Sequence, residues 1–104
     1  MPRFARDEAE ALLGKVRPYV EDIVRRKQSF DQRPTEPVAA EIRALVRAVS
    51  DLGVEVKDLD EGLIDFPAVR RGRPIYLCWK LGEGDSIAWW HARFAICCAP
   101  HGRT

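Results

Sequence analysis

From Asp7 to about Phe30, apolar residues fall at Ala9, Leu12, Leu13, Val16, Val20, Ile23 and Val24. Steps of three and four put them on one stripe of an α-helix, so the pattern predicts a helix here. Asp7 and Glu10 have the spacing of a capping box, and Asp7, Glu8 and Glu10 place negative charge at the helix N-terminus. Arg25, Arg26 and Lys27 supply the opposite sign in the expected last turn. Pro18 lies inside the pattern and removes a backbone donor, which predicts a kink or a break. Ser29 to Pro37, SFDQRPTEP, is polar with two prolines and reads as a connection. A second stripe, Val38, Ile42, Leu45, Val46, Val49 and Leu52, ends at Gly53, where a left-handed cap favours glycine.

After Gly53 the period falls from 3.6 to 2. Val54 and Val56 alternate with Glu55 and Lys57. Ile75, Leu77, Trp79 and Leu81 point one way, and Tyr76, Cys78 and Lys80 the other. Ile87, Trp89 and His91 share a face, with Ser86, Ala88 and Trp90 opposite. Turn signals at Asp60–Gly62, Arg71–Gly72 and Gly82–Asp85 separate these runs, too short for crossovers. The chain thus predicts an α+β domain: an antiparallel two-helix hairpin (about residues 7–52) packed on a three- to four-stranded antiparallel β-meander (about 54–91), followed by a tail (92–104).

The 104 residues suit one domain with a modest core. Seventeen basic and sixteen acidic side chains give a net charge of +1, which removes the general electrostatic case for nucleic acid or an anionic membrane. The charged N-terminus lacks a signal-peptide core, and no apolar run reaches membrane-spanning length, so the expected location is cytoplasmic. Three cysteines, two of them adjacent, make no disulfide framework, and thiols are expected in a reducing compartment.

Candidate chemistry concentrates between Gly62 and His91. Asp65 sits in a strand-like run between Ile64 and Phe66, an awkward place for an acid unless partners hold it. Glu83 stands between two glycines near the strand ends, and His91 closes an aromatic strand. Two carboxylates and an imidazole suit a divalent iron, manganese or zinc ion, so Asp65, Glu83 and His91 form the candidate metal set, with Cys78 a weaker fourth ligand. Tyr76, Cys78, Trp79 and Trp90 complete the ligand-binding candidates. Each has a plainer reading: a solvated acid, a turn residue, a packed histidine, a small buried hydrophobe or a core aromatic. Arg70, Arg71 and Arg73 around Gly72 could grip a phosphate or an RNA backbone, or simply form a solvated hairpin tip. Cys97, Cys98 and His101 in the tail have poor spacing for zinc. No phosphate loop, dinucleotide fingerprint, nucleophile elbow or HExxH motif is present.

The segment GVEVKDLDEGLIDFP, with YLCWKLGE and the later WWH, resembles a family of small bacterial proteins catalogued as domain of unknown function 2203. The resemblance runs from about residue 4, where Phe4 to Leu13 fit a helix-start motif with Ala5 in place of the usual threonine. It rests further on Gly53, Val56, Lys57, Asp58, Gly62, Leu63, Asp65, Phe66 and Pro67, and on Tyr76 to Trp79, Gly82, Glu83, Ile87, Trp90 and His91. After His91 the sequence departs from the family pattern. The resemblance implies no established activity, but it draws attention to Asp65, Glu83 and His91.

The resulting expectation is a ligand- or protein-binding regulatory module, acting through its exposed sheet face or by self-association. The alternative is a metal-dependent centre with hydrolase-like chemistry. Neither expectation fixes whether the protein is an enzyme.

Overall fold

The apolar stripe of the first helix becomes one wall of the core: Ala9, Leu13, Val16, Val20 and Ile23 are all buried. The computed structural model of the chain describes residues 3–87, 89–92 and 99–100. Helix α1 spans Arg6–Gln32 and runs through Pro18 without a break. Helix α2 spans Glu36–Asp51, so the connection is shorter than the polar run suggested. The reason is positional: Pro37 falls in the first turn of α2, where a missing N–H costs nothing.

The helix ends also differ from expectation. Ala5 holds the N-cap position, and its N–H donates to Glu8 Oε1 at 2.8 Å. Glu10 is instead drawn into a tertiary contact, accepting from the Ile87 N–H at 2.7 Å. Because α1 continues to Gln32, Arg25–Lys27 are not its last turn, and Lys27 pairs with Asp31 and Asp60. At the end of α2 the expected glycine does its work. Gly53 has φ 89° and its N–H donates to Ser50 O at 2.9 Å.

The sheet is antiparallel, with strands in sequence order: β1 Glu55–Asp58, β2 Leu63–Arg70, β3 Arg73–Lys80, β4 Trp89–Ala92 and the two-residue β5 Ala99–Pro100. The meander is thus the expected one, with β5 added beside β4. Arg71 (φ 52°) and Gly72 (φ 76°) form the two-residue β2–β3 turn, and positive φ at both positions matches the natural twist of a hairpin. Pro67 sits in mid-strand without harm. Pairing with β1 reaches only to Asp65, and Pro67 O accepts from the Phe4 N–H on that open side, where no strand needs a donor.

One sheet face carries Ile64, Phe66, Ala68, Ile75, Leu77, Trp79 and Trp90 into a core shared with α1 and with Val49 of α2. Among the described residues no helix is long and apolar enough to cross a membrane.

Gly62 occupies a tight point of this core. Its φ is +68°, and an added Cβ would meet Val20 Cγ1 at 2.8 Å, with Leu81 Cβ and Val24 Cγ2 at 3.0 Å. Gly72 has a similar φ but open space around it. Gly72→Ala should therefore cost only the backbone strain, about 1 kcal/mol. Gly62→Ala should add about 1–3 kcal/mol of overpacking to that strain. Urea unfolding of the two variants measures the difference; equal shifts would mean the Val20–Val24–Leu81 contact yields freely.

Candidate functional site

The sheet face turned away from the helices holds a buried polar cluster. Asp65 on β2 lies directly opposite Cys78 on β3, and Tyr76 on β3 lies opposite His91 on β4. Asp65 and His91 therefore stand on either side of β3 and reach each other across it. Asp65 Oδ2 is 3.1 Å from His91 Nε2, and Asp65 Oδ1 is 2.9 Å from Cys78 Sγ. The three ligand atoms lie within 4.8 Å of one another. Asp65 and Cys78 are each only 1% exposed, and His91 is the member that reaches solvent.

Protons decide what this arrangement can do. His91 Nδ1 is 2.8 Å from the Ala92 carbonyl. A carbonyl can only accept, so Nδ1 carries the hydrogen of that bond. Nε2 and the Asp65 carboxylate then need one proton between them. Without it, two lone pairs would face each other at 3.1 Å. The pair is either imidazolium with carboxylate or imidazole with carboxylic acid. Burial pushes the Asp65 carboxyl above its ordinary range, while the charge and hydrogen bond of His91, and more distantly Lys57, pull it back. Lys57 itself is held above its usual value, chiefly by its bond to Glu55 at 2.9 Å, and its Nζ lies 5.1 Å from the centre of the Tyr76 ring.

The sequence candidates divide between places. Asp65, Cys78 and His91 come together, with the Tyr76 ring 5.3 Å from that of His91. Glu83 does not join them: its carboxylate accepts from the Lys80 N–H at 2.7 Å and closes the turn after β3. Trp79 faces the helices, fully buried, and its Nε1 donates to Gly84 O at 3.0 Å. Trp90 also faces the core side, beneath the Arg70 guanidinium. Glu83 thus lies apart from the Asp65–Cys78–His91 cluster. Counting outward from a two-residue turn at Arg71–Gly72 sets Asp65 opposite Cys78, so the signal lay in the turn. Cys78 was expected as a thiol but is disulfide-bonded here, and its sulfur offers a thiolate only after reduction. Cys97, Cys98 and His101 lie outside the described residues, as does the side chain of Trp89.

Residues 31–95 match the family model described as "Uncharacterized conserved protein (DUF2203)". No curated protein and no solved structure matches the chain.

The position of Asp65 has a consequence for stability. Its folded carboxyl holds a proton to higher pH than the ordinary value of 3.8, so the native state binds more protons than the unfolded chain above that pH. Stability contributed by this group is complete below 3.8 and is lost as pH rises through the folded value. Asp65→Asn removes that loss and keeps a polar partner for His91. Melting curves in chelator should show the difference in Tm moving in favour of the variant as pH rises from about 4 to about 7. A difference independent of pH would show that His91 fully offsets the burial.

Proposed function

The chain belongs to the family of uncharacterised conserved proteins, domain of unknown function 2203, and we propose that it is a small metal-binding module whose ion sits among Asp65, His91 and reduced Cys78. The observation that carries this reading is the single proton required between His91 Nε2 and Asp65 Oδ2. A divalent cation in that proton's place would accept lone pairs from both groups. It would also neutralise an acid that is costly to bury.

The rest of the cluster supports the reading. A metal-ligating imidazole commonly donates its other N–H to a carbonyl, which fixes the ring and raises the basicity of the ligating nitrogen; Ala92 O, 2.8 Å from His91 Nδ1, would serve that role. Carboxylate, imidazole and thiolate together suit zinc or ferrous iron. Ligand atoms around such an ion stand roughly 3–4 Å apart, so the existing spacing within 4.8 Å needs only small shifts. Three protein ligands would leave a position for water, which a bound divalent ion makes more acidic, and this is the route to hydrolase-like chemistry. Tyr76 and Lys57 border the cluster as the groups that shape its polarity.

Untagged protein purified without chelator, in a non-chelating phosphine reductant, tests this by elemental mass spectrometry. Metal approaching one ion per chain is expected, falling sharply in His91→Gln and Cys78→Ser. Zinc at a hundredfold excess over its Kd should add about 2.7 kcal/mol and raise Tm by about 10–20 °C. Reduced wild-type protein that stays metal-free after incubation with zinc, ferrous iron and manganese in turn would sink the proposal.

A further inference from the structure

A second feature lies on the opposite sheet face, at the end of the β2–β3 hairpin. There a cleft of about 490 Å³ is lined by Arg70, Arg71, Arg73, Ile75 and Trp90, with Pro74 and Ala92 at its walls. Its charge is one-sided. Among the described residues none of the three arginines has a carboxylate partner, whereas Arg17, Arg25, Arg26 and Arg43 each have one. Arg70 and Arg73 are directly paired across the hairpin, so two guanidinium groups share one end of the sheet. Like charges directly opposite each other are unfavourable unless something neutralises them.

Trp90 lines the cleft as well: the residue is 9% exposed, and the Arg70 guanidinium carbon lies 4.8 Å from its ring centre. Among the described residues its Nε1 has no hydrogen-bond partner, and it is closed to solvent. Ile75, Pro74 and Ala92 meanwhile give the cleft apolar walls.

We infer that this cleft binds a small planar molecule carrying an oxyanion, either a phosphate or a carboxylate. The arginines would take the oxyanion in charge-assisted hydrogen bonds. The flat body would lie against the apolar walls, beside the Trp90 ring. The inference stands apart from the metal reading, because Arg70 and Trp90 face the helix side and Asp65 and His91 the other.

Calorimetric titration of the full chain with adenosine monophosphate, benzoate, adenosine and inorganic phosphate tests it. Saturable binding of adenosine monophosphate or benzoate is expected, tighter than adenosine or phosphate alone. Whichever of the two binds identifies the oxyanion. Arg70→Gln and Arg73→Gln should each weaken it about tenfold without changing Tm appreciably. No saturable binding of either anion, or binding that survives both arginine changes, would overturn the inference. So would preferential binding of a single-stranded oligonucleotide with a steep salt dependence, which would mark a nucleic-acid surface instead.

Discussion

The register of the central hairpin is the constraint on which both faces of this protein depend. Arg71 and Gly72 both take positive φ, and the eight residue pairs from Arg70–Arg73 back to Leu63–Lys80 follow from that turn. Side chains alternate along a strand, so a slip of one residue would exchange the faces. Phe66, Leu77 and Trp79 would leave the core, and Asp65 and Cys78 would enter it. The hydrophobic cost of such a slip holds the register, and the register places the acid beside the sulfur.

Helix α1 then fixes the strand that completes the site. Arg17 lies 5.5 Å from the ring centre of Trp79 and donates to Gly84 O and Asp85 in the connection before β4. Glu10 accepts from the Ile87 N–H in the same connection. The Arg17–Asp85 ion pair is solvent-exposed on the aspartate side and adds little energy by itself. Its value is in direction: two points on α1 hold the segment that leads to Trp90 and His91. Packing of the fully buried Trp79 supplies the energy, and the polar contacts supply the aim.

Burial separates Asp65 from the other acids. Asp22, Asp31, Glu36, Glu41 and Asp60 pair with lysine or arginine at the surface, where water screens the charge and each pair contributes about 0–1 kcal/mol. Asp65 has lost that water, so its partners decide its charge. The two sheet faces thus carry opposite unbalanced groups. One holds a buried acid with an imidazole, and the other holds three arginines that have no carboxylate partner among the described residues, beside a tryptophan.

Local periodicity by itself determined the helix hairpin, the antiparallel meander, the turn at Arg71–Gly72 and the side of the sheet on which Tyr76 and Cys78 lie. These were legible because helix stripes, strand alternation and turn residues are properties of neighbouring positions. The helix ends are less so: Asp7 has the residue type of a cap and Pro37 that of a loop residue, but Glu10 is taken by the Ile87 N–H and Pro37 fits the first turn of α2. Asp65 and His91 were legible as unusual residues, but their meeting across β3 was not. Glu83 shows the converse. Its residue type suited a ligand, yet a backbone N–H three positions away took its carboxylate. Which polar groups converge depends on strand order and register, and these are settled by burying the apolar face as a whole; tertiary packing alone decided that His91, and not Glu83, would stand beside Asp65.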